Sequence, residues 1–221
     1  MKRRQVVIGL GLVVAGGSIA ALMTKPGRQL WSFRWNKIPA VTVISAPGDP
    51  RIRAVREAVD FWNRTFAELG SAFRLGAVTP VTGSVPDAAL QTLSGQFWRP
   101  LSWHTLPPSV DRVAGDLIVV LSDADFISFT AGDGARVMVA IRDQQSPPLT
   151  LPNVLRNVVA DELGHAIGLG HDADPAPLMC GRPASCRPDA FQSPTDRFFP
   201  LSAAEKARLI DLYPSGWAAS R

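Results

Sequence analysis

The sequence predicts an α+β fold, close to the α/β class: a small twisted mixed sheet, two long helices, and a small C-terminal lobe with a third helix. Three observations carry this. Short runs of β-branched residues alternate along the chain with longer segments whose apolar residues recur every three or four positions. No internal repeat is visible, and a length of 221 residues suits one domain with a short appendage. A hydrophobic fraction of 46% is that of a globular chain and excludes a disordered one.

The appendage comes first. Lys2, Arg3 and Arg4 precede an uncharged stretch from Val6 to Thr24, the pattern of a basic n-region followed by an apolar h-region. Ser18 and Ala20 form a small-x-small pattern that suits cleavage after Ala20. Residues 1–24 are therefore expected to be a signal peptide or, uncleaved, a membrane anchor through residues 6–24. The pair Arg3-Arg4 also resembles a twin-arginine export signal. On either reading the folded part is exported across a bacterial-type inner membrane, to be secreted, periplasmic or tethered outside. Loss of residues 1–20 removes three positive charges and no acid, so the net charge falls from +4 to +1. No basic run remains to suggest a nucleic-acid partner.

Residues 25–37 read as a linker or N-terminal segment, 38–214 as the folded domain and 215–221 as a tail. Val41–Ser45 (VTVIS) is a strand ended by Pro47-Gly48. Asp49 with Pro50 starts a helix whose core face is Ile52, Val55, Val59, Trp62 and Phe66, closing at Leu69-Gly70. A second strand is expected within 72–81. Residues 82–115, rich in Pro, Ser and Gly and carrying Trp98 and Trp103, read as a long surface excursion. Asp116–Ser122 (DLIVVLS) and Arg136–Arg142 (RVMVAIR) are strands by β-branched content, with Gly132-Asp133-Gly134 as the turn before the latter. Asn153–Gly168 is the second long helix. Ser202 and Glu205 form a capping box that opens a third helix, Ala203–Leu212.

The chemistry concentrates in Asp161–His171, DELGHAIGLGH. Asp161 and His165 are four apart and share a helix face with Val154 and Val158. Polar groups that continue a buried stripe need a partner or a metal. Gly168 and Gly170 break the helix, so His171 can turn back toward the other two. Asp161, His165 and His171 thus make a three-ligand site with an open position, the catalytic arrangement for zinc. Glu162 points to the neighbouring position, where a carboxylate can take a proton from water and later deliver it to a leaving amine. A bound metal lowers the pKa of its water from about 15.7 toward about 7.

DELGHAIGLGH resembles HExxHxxGxxH, the signature of the metzincin metallopeptidases. Pro177-Leu178-Met179 resembles the family's Met-turn. Leu201-Ser202 with Glu205, Ile210 and Leu212-Tyr213 resembles the C-terminal helix of the matrixin, or matrix-metalloprotease, branch. The resemblance covers roughly residues 38–214. It implies a zincin-like domain and a zinc-dependent endopeptidase acting on peptide or protein substrates, with Glu162 as general base and acid. It also implies that the strand Arg136–Ile141 borders the cleft and pairs with an extended peptide. The protein is expected to be a monomer.

The first position of the signature is His in the family and Asp161 here. Three readings follow. Asp161 binds zinc as a carboxylate; or the site is degenerate, leaving an inactive metzincin fold that binds peptides or proteins; or two histidines and a carboxylate favour iron. His104, in SWHTLPP, is a further candidate ligand without supporting spacing. The family's cysteine switch and histidine-bound structural zinc have no residues to supply them here. Calcium near Asp123, Asp125 and Asp133 lacks strict loop spacing, and solvated carboxylates are the simpler reading. Cys180 and Cys186 are expected to pair in an exported protein, and in matrixin relatives that segment walls the main specificity pocket.

Overall fold

In the computed structural model the described residues are 33–96, 105–132, 135–142, 150–172, 174, 176–180 and 195–220, and they all fall in one compact unit. The architecture is a mixed α/β domain with a five-stranded sheet. Its strands are β1 (Val41–Ser45), β2 (Val78–Thr82), β3 (Leu117–Leu121), β4 (Phe129–Gly132) and β5 (Val137–Ile141), in spatial order β2-β1-β3-β5-β4. The first four in that order are parallel, and β4 runs antiparallel to β5. The helices are α1 (Arg51–Glu68), α2 (Asp87–Gln96), α3 (Pro108–Asp111), α4 (Pro152–Ala166) and α5 (Ala203–Leu212).

Strand periodicity sorts the side chains onto two faces. Val41, Val43, Leu117, Val119, Leu121, Val137, Val139 and Ile141 pack with α1 and α4 in the main core. Ile44, Ile118, Val120, Met138 and Ala140 point the other way, into a second cluster. That cluster corrects the surface-excursion reading of residues 82–115. Val85, Leu90 and Leu93 around α2, with Leu106 and Val110 beside α3, cover the second face of the sheet. The physical reason is general: parallel strands are apolar on both faces and need cover on both. Trp98, Trp103 and His104 lie outside the described residues.

The two ends of the sheet differ. Strand β2 carries Pro80, a residue suited to an edge because it has no N–H to donate. Its five residues sit at the end of the 72–81 window and one residue beyond it. At the other edge is β4, whose four residues (FTAG) give little signal in the sequence. Strand β5 is therefore paired on both sides, by β3 and β4. The expectation that Arg136–Ile141 borders a cleft is overturned: the outer strand on that side is β4.

Helix α1 buries Val55, Val59, Trp62 and Phe66, as its spacing predicts. The Trp62 indole donates to the Ala160 carbonyl at 3.0 Å, so α1 and α4 are joined by a hydrogen bond as well as by packing. Arg51, 5% exposed, pins the carboxyl ends of two strands to the start of α1. It donates to the carbonyls of Ser122 and Arg142 and pairs with Asp49 and Asp123.

Candidate metal centre

Helix α4 has Pro in its first turn, where a missing N–H costs nothing. Its apolar residues Leu155, Val159 and Leu163 are buried in the main core. Two amides in its first turns hold the chain that returns from the C-terminal side. Asn153 donates to the Thr195 carbonyl and accepts from Arg197 N, and Asn157 donates to the Arg197 carbonyl and accepts from Phe199 N.

The end of α4 is a Schellman motif. Leu169 N donates to the Gly164 carbonyl and Gly168 N to the His165 carbonyl, both at 3.0 Å, with Gly168 at φ 97°. A side chain at Gly168 would meet the Phe33 carbonyl oxygen, so glycine is required there twice over. The last carbonyls are capped from distant sequence. The Trp35 indole donates to Ala166 O at 2.9 Å, and the Tyr213 hydroxyl donates to Ile167 O at 3.1 Å while accepting from Trp35 N. Burial raises the Tyr213 pKa well above the usual phenol range, which keeps the hydroxyl a donor. Trp217 Nε1 donates to Trp35 O at 3.3 Å, closing an aromatic clamp over the turn.

This turn brings His171 back to α4. His165 Nε2 and His171 Nε2 lie 3.0 Å apart, and Asp161 Oδ2 lies 3.7 Å from His165 Nε2. The three residues each offer a ligand atom within 4.8 Å of the others. His165 Nδ1 is 3.0 Å from the Leu169 carbonyl. A carbonyl only accepts, so Nδ1 carries the proton and Nε2 presents its lone pair to the cluster. That is the arrangement in which metal-binding imidazoles are held. Ligands about 2.0–2.1 Å from a tetrahedral ion stand roughly 3.3 Å from one another. The two separations of 3.0 and 3.7 Å lie on either side of that value and the third pair lies within 4.8 Å, so these donors could hold a zinc-sized ion. The shorter Asp161 side chain reaches the cluster from its place on α4. His171 is exposed, and Asp161 and His165 are half-buried, which leaves the cluster open to solvent.

Met179 lies fully buried beneath α4. A Cβ built on Gly164 would be 2.5 Å from its sulfur. The turn bearing Met179 is tied to the rest of the site: its N–H donates to Glu205 Oε1 at 3.1 Å and its carbonyl accepts from Asp172 N at 2.6 Å. Glu205 also closes the expected capping box with Ser202. One buried carboxylate therefore joins the methionine turn to the start of α5, a role that the box alone does not reveal. Cys180 is buried and its backbone pairs with that of Asp172 in a short parallel β-bridge, while Cys186 lies outside the described residues.

Glu162 is 7% exposed on α4. Its neighbour comes from a distant strand that no local pattern reveals: the Thr130 hydroxyl on β4 lies 2.7 Å from the Glu162 carbonyl oxygen and 2.9 Å from Oε2. In the acidic loop weighed as a calcium site the described carboxylates are largely exposed and meet arginines. Asp123 pairs with Arg51 and Asp125 with Arg142, and Asp133 lies outside the described residues.

Neither a protein-family model nor a curated protein matches the chain. Among solved structures it is similar to archaemetzincin from Methanopyrus kandleri, with TM-score 0.48 and 18% identity over 81% of this chain and 97% of that one. It is also similar to metalloproteinase-II from Bacteroides fragilis, with TM-score 0.45 and 13% identity over 86% of this chain and 59% of that one. A third is myroilysin, with TM-score 0.42 and 11% identity over 84% and 87% of the two chains.

Proposed function

We propose that this protein is an exported zinc-dependent endopeptidase of metzincin type. Asp161, His165 and His171 would hold the ion, and Glu162 would be the general base and acid. The observation that carries the reading is the convergence of those three donors within 4.8 Å beside a buried glutamate on the same helix. Zinc bound there would supply Lewis acidity toward a peptide carbonyl and a more acidic water.

The chain's own residues supply the rest. Glu162, one residue after the first ligand, takes the proton of the attacking water and returns it to the departing amine. An extended substrate lies along β4, the outer strand, and pairs with its backbone. Met179 packs closely against Gly164 on the underside of the helix and forms its floor. In this reading Cys180 and Cys186 pair and stiffen a wall of the specificity pocket, as in the matrixin-like pattern of the C-terminal segment. The apolar stretch 6–24 directs export or tethers the domain.

The test is metal content and peptide cleavage by the purified chain. One zinc per chain is expected, with cleavage abolished by a chelator. Glu162→Gln should keep the zinc and lose roughly 10²–10⁴-fold in kcat. A chain that neither retains zinc nor cleaves peptides contradicts the proposal and leaves the inactive peptide-binding reading in its place.

A further inference from the structure

We infer that Thr130, on the outer strand, is a positioning residue that fixes the carboxylate of Glu162; the inference rests on the peptidase reading above. Its hydroxyl is within hydrogen-bond distance of both the main-chain carbonyl oxygen of Glu162, at 2.7 Å, and its Oε2, at 2.9 Å. A hydroxyl has one hydrogen to give, so that hydrogen is shared between the backbone and the side-chain end of one residue. The carboxylate is thereby drawn to the β4 side of its helix.

The grip is rigid because of where it comes from. A glutamate has three side-chain torsions and, left alone, samples several rotamers. Threonine is β-branched and stiff at χ1. The Thr130 backbone is locked opposite Val139 in the pairing of β4 with β5. The base is therefore oriented by the sheet, across 32 positions of sequence, and not by its own helix alone. Strand β4 is also the one an extended substrate would pair with, so one strand sets both the register of the peptide and the aim of the base. Misplacement of a catalytic group by an ångström costs rate far more than it costs binding.

Valine would fill the same half-buried strand position with nearly the same shape, so the hydroxyl can be tested alone. In the full-length chain loaded with zinc, Thr130→Val should lower kcat about tenfold, the order expected for one lost hydrogen bond to a charged group. KM and the zinc dissociation constant should stay within about twofold, and Thr130→Ser should restore kcat to within about twofold of the parent. Crystal structures of the parent and of Thr130→Val should show the Glu162 carboxylate beside β4 in the first and displaced in the second. Unchanged kcat in Thr130→Val, equal impairment in the Val and Ser variants, or a Glu162 carboxylate in the same place in both structures overturns the inference. If the zinc-loaded parent cleaves no peptide, the peptidase reading fails, and the two crystal structures still decide whether Thr130 holds Glu162.

Discussion

Replacing Gly164 with alanine sets two opposite effects against each other. Alanine is the better helix former by about 1 kcal/mol, and Gly164 lies within α4. Against that, the new methyl carbon would lie 2.5 Å from Met179 Sδ and 3.0 Å from Met179 Cε and Trp62 Cζ2. Ordinary carbon contacts are at about 3.5–4.0 Å, so the sulfur would have to retreat by roughly an ångström. The Met179 thioether is the flexible end of its side chain, but it is fully buried and can move only by displacing packed neighbours. Trp62 is fully buried and tied to Ala160 O, and the Met179 backbone is held on one side by Asp172 and on the other by Glu205. Overpacking of this kind costs about 1–3 kcal/mol, so after the helix gain the net effect is destabilising by up to about 2 kcal/mol. For a domain of this size that lowers Tm by up to roughly 6 °C. Because Asp172 follows His171, zinc affinity should fall as well. Urea unfolding with and without zinc measures both. A variant that is more stable than the parent would refute the packing argument, since only the helix propensity would then be acting.

Two further predictions use parts of the fold away from the ligands. Trp35→Phe keeps an aromatic ring but removes the N–H that caps Ala166 O, a loss of about 1–2 kcal/mol in unfolding free energy; a change near zero in a urea melt would reduce Trp35 to a space-filler. Stability should also decline in acid. Burial pushes the Glu57 pKa up, but hydrogen bonds from Arg53 and Arg156 outweigh it and hold the pKa below 4.5. Asp116, likewise raised by burial, is held below 3.8 by Lys37 and Ala40 N. Lowered carboxylate pKa values stabilise the fold above the ordinary values, and that contribution is lost as pH falls through the folded ones. Urea melts of the metal-free chain should therefore show stability falling steadily below pH 4.5, and a rise over that range would contradict the pairing.

Much of the fold was legible in the sequence where local signals were strong. The β-branched runs of β1, β3 and β5 and the capping box of α5 lie where the residues place them. The missed elements had weak local signals. Strand β4 is four residues with an alanine and a glycine, and it exists because β5 offers it a partner. In α2, Leu90 and Leu93 are diluted by Ser, Gly and Gln, and it is the second face of the sheet that orders them. The contacts that complete the site are non-local. Trp35 meets Tyr213 across 178 positions and Thr130 meets Glu162 across 32, and no spacing rule reaches that far. Asp161 is the opposite case: its position was readable from the helical period, whereas whether so short a side chain reaches the histidines needed the geometry of the turn after Gly168.

The proposed zinc site depends on Asp161 as a ligand. Titration of zinc onto the full chain, followed by the same titration on Asp161→Ala, tests it most directly. One ion per parent chain is expected, with an affinity at least about a hundredfold weaker in the variant. Equal zinc affinity in the two proteins would contradict it.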